Sequence, residues 1–112
     1  MNASILIACK PMSVNTAWQG KRFKTKGYKK YERDVLLLLP KITVPDCKLS
    51  LILTFGFSNA ASDWDNPIKP FVDILQKKYG FDDKMIYRST VHKQIVKKGG
   101  EFIMFKFDKF EG

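Results

Sequence analysis

Acidic residues concentrate in one short region of this sequence. Of the 11 acidic residues, five lie between positions 63 and 83, namely Asp63, Asp65, Asp73, Asp82 and Asp83. Carboxylates repel one another, so such a concentration costs stability unless positive charge lies among them. Lys69 supplies one positive charge, and a divalent cation would supply more. Because carboxylate oxygens are hard ligands and no Cys or His cluster lies nearby, Mg²⁺ or Mn²⁺ is favoured over zinc.

The spacing of these residues suits a binding site. Asp63 and Asp65 are two positions apart, so in an extended segment both side chains point the same way. Asn66, Lys69 and Asp73 follow at i, i+3 and i+7, which places them on one face of a helix. An Asp-x-Asp pair before a helix is by itself most often a matter of capping and solvation. The whole set, with a second acid pair after the helix, is less common and indicates a ligand.

The helix that carries this polar face has clear boundaries in the sequence. Asn66 is its predicted N-cap and Pro67 its first residue, whereas Pro70 would move the start towards Lys69. It is expected to end near Tyr79, before Gly80. Its predicted apolar face consists of Ile68, Val72, Leu75 and Tyr79.

The remaining elements follow from periodicity and turn signals. Strands are predicted over 3–9, 48–57, 84–96 and 101–107, and a further helix runs from a Thr25 cap to Leu39. The 97–100 turn, Lys-Lys-Gly-Gly, is typical of a hairpin between the last two strands. The fold class is therefore α+β: a two-layer β-α-β-α-β-β domain over 1–112, with a mixed sheet and two helices on one face. In this arrangement the acids are expected to gather at one edge.

The charge balance points to a polyanionic partner. The net charge is +9 and the pI about 9.6, which favours nucleic acid over a membrane surface. We expect a cytoplasmic protein without a signal peptide or a membrane span, with Cys9 and Cys47 as free buried thiols. His92, the single histidine, is expected to be structural or on the surface.

Two basic segments are candidates for DNA contact. Six of the ten residues from Lys21 to Lys30 are basic and alternate with Phe23 and Tyr28, which suits phosphate contacts and base stacking. The alternative is a solvated loop that only adds solubility. The tip of the 97–100 turn is also basic. The candidate DNA-binding residues are Lys21, Arg22, Lys24, Lys26, Lys29, Lys30, Lys97 and Lys98.

The end of the first helix is apolar on nearly every side. Its predicted buried stripe consists of Tyr28, Tyr31, Val35 and Leu38. Leu36, Leu37 and Leu39 lie partly off that stripe. Such a helix end packs against more than one surface, either a deep core or a partner subunit.

These residues carry a family resemblance. The acidic motif Asp63-x-Asp65-Asn66-x-x-Lys69-x-x-x-Asp73, followed by Gly80-Phe81-x-Asp83, resembles the signature of the RusA family of Holliday-junction resolvases. The N-terminal half agrees through Pro11-x-Ser13-x-Asn15, the basic loop and Tyr28-x-x-Tyr31. The resemblance covers nearly the whole chain, in order and with similar spacing. Pro67 and Pro70 around Lys69 are a local difference.

The resemblance implies a function. Members of this family are small, dimeric, Mg²⁺-dependent endonucleases, often encoded by phages or prophages, that cut four-way DNA junctions. By motif match, Asp63, Asp65 and Asp83 fall on the catalytic, metal-binding aspartates and Lys69 on the functional lysine. Asn66, Asp73 and Asp82 match supporting positions. For a phage-encoded chain, the implied location is the host cytoplasm. Since two opposed cuts resolve a junction, a two-fold homodimer with one site per subunit is expected.

Two other classes of function remain open at this level. One is a non-catalytic protein that binds or shapes branched DNA and uses the acids for a structural ion. The other is a protein-interaction module whose apolar helix end is its interface. Within the nuclease class, flaps or forks are alternative substrates, and either one or two metal ions would suit the acids.

Overall fold

The computed structural model describes residues 4–12, 18–19 and 23–111, and the order of their elements confirms the predicted fold. Its main elements appear in the predicted sequence β-α-β-α-β-β, with a short two-stranded ribbon inserted where only a loop was expected. In chain order the elements are β1 (Ile5–Ile7), β2 (Trp18–Gln19), β3 (Phe23–Lys24), α1 (Lys26–Leu38), β4 (Leu49–Phe57), α2 (Ile68–Tyr79), a 3-10 turn (Asp83–Met85), β5 (Ile86–Ile95) and β6 (Phe102–Lys109).

The main sheet is mixed, as predicted. Its strand order is β1-β6-β4-β5, in which β4 and β5 are parallel and the other neighbours are antiparallel. Both helices pack on one face of this sheet and give an α+β two-layer domain. Strand β4 therefore lies inside the sheet, whereas β5 forms one edge.

The predicted hairpin between the last two strands is wrong. Strand β4 lies between β5 and β6, so the 97–100 turn passes over the end of β4 instead of joining paired neighbours. Val96 N–H donates to the Phe57 carbonyl at 2.7 Å where this crossing begins, and Gly99 adopts a φ of 94° in the turn. A turn sequence specifies a reversal of chain direction, but burial of apolar residues decides whether the two strands that it joins become neighbours in the sheet. Here the apolar β4 lies between β5 and β6.

Strand β4 provides the centre of the core. Its predicted inward side chains, at every second position from Leu49 to Phe57, are all buried. Phe71 of α2 packs edge-on against Phe105 of β6, with ring centroids 5.6 Å apart. The other buried side chains in contact with this layer include Tyr28, Tyr31, Val35, Ile74, Leu75, Ile103 and Phe107.

Helix α1 begins as predicted and ends differently. The Thr25 hydroxyl accepts a hydrogen bond from Tyr28 N–H at 3.1 Å, which caps the first turn. Tyr28, Tyr31 and Val35 are buried as expected, but Leu38 is 45% exposed and Leu39 only 4% exposed. The backbone of Leu39 is extended (φ −70°, ψ 126°), so its side chain leaves the helical spacing and turns inward. The placement of Leu38 in the buried stripe is therefore wrong.

Helix α2 confirms the predicted end and corrects the predicted start. Gly80 follows it with a left-handed φ of 73°, a conformation that glycine adopts without strain. At the other end Pro67 takes the cap position without a side-chain hydrogen bond, so Asn66 is not the cap. Pro70 fits in the first turn because the first N–H groups of a helix have no intrahelical partner.

The buried face of α2 is centred differently from the predicted stripe. Phe71, Ile74 and Leu75 are fully buried, whereas Ile68 and Tyr79 lie half-buried at the margins. The Tyr79 hydroxyl donates to the Pro40 carbonyl at 2.7 Å, which ties the end of α2 to the chain beyond α1. The α2 face opposite the core remains available for the predicted polar residues.

The cysteines and the histidine lie outside the acidic segment. Cys9 and Cys47 are free, as predicted, although both are half-buried and not fully buried. Burial, and then the negative charge of Asp34, raises the pKa of Cys9 to about 12. His92 lies exposed on β5. Among the described residues, no helix is long and apolar enough to cross a membrane.

Candidate metal and nucleic-acid site

Asp63 and Asp65 lie exposed on the segment that leads from β4 into α2. The Asn66 side-chain amide donates to Asp63 Oδ2 at 3.1 Å. The Asp65 carbonyl accepts from Ile68 N–H at 3.2 Å, so Asp65 is fixed to the first residue of α2 by its backbone and not by its carboxylate. Both carboxylates therefore face solvent directly beside the helix start.

A lysine of β5, not predicted from the sequence, holds the loop that precedes these aspartates. Lys93 Nζ donates to the carbonyl of Ala60 at 2.7 Å and to that of Ser62. Lys93 is the register partner of Phe55, so its side chain lies on the helix side of the sheet. No signal in the sequence marked this lysine, because apolar and polar residues do not alternate in β5.

The polar face of α2 forms a chain of contacts. Lys69 Nζ lies 3.5 Å from Asp73 Oδ2, and Gln76 Nε2 donates to Asp73 Oδ1 at 3.4 Å. The Gln76 side-chain oxygen accepts from Asp83 N–H at 2.9 Å. Gln76 thus connects the predicted polar face to the turn that carries Asp83. Gln76 was not predicted as a site residue, although it continues the i+3 spacing beyond Asp73.

Ion pairs separate the five acids into two groups. Asp73 pairs with Lys69, and Asp82 lies 3.8 Å from Lys84. In the described part of the chain, Asp63, Asp65 and Asp83 form no ion pair. The three predicted metal ligands are therefore the three acids of the segment whose charge no lysine offsets.

The structure does not bring these three carboxylates together in one chain. The Asp65 carbonyl accepts a hydrogen bond from Ile68, and the Asp83 N–H donates one to the Gln76 side chain. Helix α2 rises about 12 Å between Ile68 and Gln76. Ligands of one Mg²⁺ lie only about 2 Å from the ion. Across residues 4–12, 18–19 and 23–111, no three Asp, Glu, His or Cys side chains are grouped closely enough to hold a metal. Helix α2 thus separates the acids that were expected at one edge.

The residues at the helix start nevertheless fit a hard divalent cation. Asp63 and Asp65 offer exposed carboxylate oxygens, and the Asn66 amide oxygen is adjacent. Mg²⁺ typically uses one or two carboxylates and keeps several waters. The donor set at this end of α2 therefore meets the requirement for Mg²⁺ or Mn²⁺ in its ligand types.

The basic turn after β5 lies beside the loop that carries these acids. Lys97 and Lys98 are exposed at its tip, and Gly99 N–H donates to Glu101 Oε1 at 2.8 Å. A hydrogen bond from the side chain of Ser58, the first residue after β4, lowers the pKa of Glu101. Lys10, which was not predicted as a site residue, adds a weaker attraction to the same carboxylate. Lys10 and Lys93 thus place positive charge near the loop between β4 and α2.

The other predicted DNA-binding residues lie on or before α1. Lys26 and Lys29 are exposed, and Lys30 is exposed but pairs with Asp34 at 2.9 Å. Lys21, Arg22 and the side chain of Lys24 lie outside the described residues. Within the described part, Lys26 and Lys29 are therefore the available phosphate contacts of the predicted basic loop.

The leucines at the end of α1 divide between core and surface. Leu37 is 80% exposed, Leu38 is partly exposed, and Leu36 is half-buried. Leu39 is buried, so its assignment to a possible subunit interface is wrong. Any interface at this helix end would be built on Leu37 and Leu38.

Compared with known proteins, the chain matches no protein-family model and no curated protein.

Proposed function

We propose that this chain is a Mg²⁺-dependent, structure-specific endodeoxyribonuclease that resolves four-way DNA junctions as a homodimer. One observation carries the proposal: Asp63, Asp65 and Asp83, which match the catalytic aspartates of the RusA motif, form no ion pair within the described residues. Their neighbours Asp73 and Asp82 are paired with lysines. Carboxylates without an ion-pair partner are available as ligands of a divalent cation.

A divalent cation would be held by Asp63 and Asp65 at the start of α2, from which Asp83 of the same chain is separated by the length of that helix. Bound there, the cation supplies a water of lowered pKa and offsets negative charge on the scissile phosphate. Asn66 orients the Asp63 carboxylate through its hydrogen bond. Lys93 fixes the preceding loop, so that this carboxylate and that of Asp65 keep their position at the helix start.

Lys69 is the residue that we assign to contact with the phosphate. Its side chain is 63% exposed and is steadied by Asp73 at 3.5 Å. A positioned ammonium stabilises the charge that develops on a phosphate or on a leaving oxygen. Asp73, through Gln76, also links Lys69 to the turn with Asp83, which supports a positioning role for Asp73.

DNA binding is assigned to exposed basic residues of two segments. Lys97 and Lys98 are exposed in the turn after β5, and Lys26 and Lys29 are exposed at the start of α1. Lysines that contact phosphates release counterions, so binding weakens steeply as salt rises. Junction affinity is therefore expected to fall with salt concentration.

The direct test is cleavage of labelled four-way, three-way, flap and linear DNA, with Mg²⁺ or with EDTA. We expect junction cleavage only with Mg²⁺. Asp65→Asn is expected to lower the rate by at least about 100-fold while junction binding is kept, because a ligand and not a phosphate contact is lost. Asp108→Asn is the matched control, since Asp108 pairs with Lys106 on another part of the sheet. Equal rates for wild type and Asp65→Asn would refute the assignment.

A second candidate is a non-catalytic protein that binds or shapes branched DNA. It is favoured by one observation, the separation of Asp83 from Asp63 and Asp65 along α2 in a single chain. The same experiment distinguishes the two candidates. Salt-dependent junction binding without any Mg²⁺-dependent cleavage would support the second.

A further inference from the structure

The start of strand β5 carries an exposed stack of aromatic and cationic side chains. The rings of Tyr87 and Phe110 are stacked, with centroids 5.6 Å apart and planes inclined by 29°. Lys48 Nζ lies 4.9 Å from the centroid of the Tyr87 ring, and Arg88 Cζ lies 5.4 Å from that of Phe110. Tyr87, Lys48 and Arg88 are exposed and Phe110 is half-buried, so these four side chains lie outside the core.

An irregularity in the sheet brings two consecutive residues to the same ring. In a regular strand Tyr87 and Arg88 would point to opposite faces of the sheet. The pairing of β5 with β4 shifts at this point, which leaves Tyr87 without a register partner on β4. Such bulges redirect a side chain and are over-represented beside functional sites. Because of this shift, Tyr87 and Arg88 both lie against Phe110.

A groove adjoins Arg88 and Phe110. Its volume is about 590 Å³, within the range of small-molecule sites, and both side chains line it. It is also lined by the carboxylates of Glu111 and of Asp108, the second of which pairs with Lys106 at 3.4 Å. Carboxylates repel a phosphate group. The groove therefore suits a flat, uncharged ring whose phosphates remain outside it.

Exposed lysines are available for those phosphates. Lys109 lines the groove, and Lys48 lies over the Tyr87 ring. Lysines contact the phosphates of a nucleic-acid strand, whereas aromatic rings and the guanidinium plane of arginine stack with unpaired bases. The net charge of +9 favours such a polyanion.

We propose that this groove binds an unpaired base of a nucleic-acid strand, stacked on the Arg88 guanidinium plane over Phe110, with adjoining phosphates at Lys48 and Lys109. That the strand is DNA rests on the proposed function, whereas the stacking contact does not. The site is separate from the basic turn at 97–100 and from the basic residues at the start of α1. Asp83 precedes Tyr87 by only four residues, so the bound strand is one that passes the Asp83 end of α2.

Binding to short single strands in EDTA tests the base contact without any use of cleavage. A fluorescently labelled oligothymidine is compared with a strand of the same length in which most sugars are abasic. The two strands carry the same phosphate charge and differ only in their bases. We expect the wild-type protein to bind the oligothymidine about tenfold more tightly, because a stacked base adds affinity that phosphates do not supply.

Arg88→Lys separates the plane of the side chain from its charge. Lysine keeps the positive charge but has no plane on which a base can stack. We expect the preference for oligothymidine to fall to about twofold or less. The dependence of binding on salt should stay the same, because no charge is lost. Arg33→Lys, the same change at an exposed position of α1, is the matched control and should keep the full preference.

Photo-cross-linking locates the base on the wild-type protein, so its result does not depend on the folding of a variant. A strand with one iodouracil base is bound and irradiated, and the modified peptide is identified by mass spectrometry. We expect the modification at Phe110 or Tyr87, the two rings of the stack.

Four results would overturn the base site. They are equal wild-type affinity for the two strands, an Arg88→Lys protein that keeps the full preference, an equal loss of affinity for both strands in Arg88→Lys, and a cross-link in the 21–30 segment. The third result would assign Arg88 to a phosphate, and the last would place the base on the basic loop.

The two proposals fail differently. Junction cleavage with Mg²⁺ but no base preference would refute the base site and leave the nuclease proposal standing. A protein that shows the base preference and does not cut would refute the nuclease proposal alone. Tighter binding of oligouridine than of oligothymidine would support the stacking contact and overturn DNA as the source of the base.

Discussion

Strands β4 and β5 are parallel neighbours of nearly equal length with opposite surroundings. Every second side chain of β4, from Leu49 to Phe57, is buried between the helices and the sheet, whereas β5 exposes most of its side chains. The two are aligned residue by residue from Leu51 with Ser89 to Phe57 with Ile95. The difference shows that position in the sheet, more than length or direction, decides how much of a strand is buried.

The largest expected effect is the difference in the free energy of unfolding between a substitution in β4 and one in β5. Leu53→Ala removes a fully buried side chain at the centre of β4 and should lower the free energy of unfolding by about 2–5 kcal/mol, because a cavity remains. His92→Ala, which is exposed in β5, is the matched control and should change it by less than about 0.5 kcal/mol. Urea unfolding at one protein concentration measures both. Similar losses for the two variants would show that β5 also belongs to the core.

A smaller loss of stability is expected for a substitution on the face of β4 that is turned away from the helices. A Cβ added at Gly56 would lie 2.4 Å from two ring carbons of Phe102 on β6. Gly56→Ala should therefore destabilise the fold by about 1–3 kcal/mol, since the ring must move.

A double-mutant cycle identifies the cause of that loss. In a Phe102→Ala background, Gly56→Ala should cost much less, because the clashing ring is absent. An undiminished cost in that background would assign the effect to the backbone of β4.

The contrast between the strands also explains what the sequence could predict. The alternation of apolar residues from Leu49 to Phe57 is a local pattern, and it predicted both the strand and its buried face. The partner of each strand is a non-local choice. The turn at 97–100 signalled a reversal correctly, but could not show that β4 lies between the two arms.

The candidate site was likewise predictable only in the part that depends on local sequence. Residue type and spacing selected Asp63, Asp65 and Lys69, which the structure places at the start of α2. The residues that hold the site together act across long sequence separations, as Lys93 does towards Ala60. Spacing along the chain carries no information on such contacts. It also did not reveal that α2 keeps Asp83 apart from the first two aspartates.

The smallest stability effect concerns the contact by which β5 supports the site. Lys93→Met keeps much of the aliphatic stem but removes the hydrogen bonds to the Ala60 and Ser62 carbonyls. Because both carbonyls are exposed and water can replace the ammonium, the free energy of unfolding should fall by only about 1 kcal/mol. Lys97→Met, at the exposed turn, is the control and should leave stability unchanged. Hydrogen exchange of the 58–66 segment should nevertheless rise in Lys93→Met alone, because that loop loses its anchor. If exchange is unchanged, the loop is held by β4 and α2, and β5 takes no part in positioning Asp63.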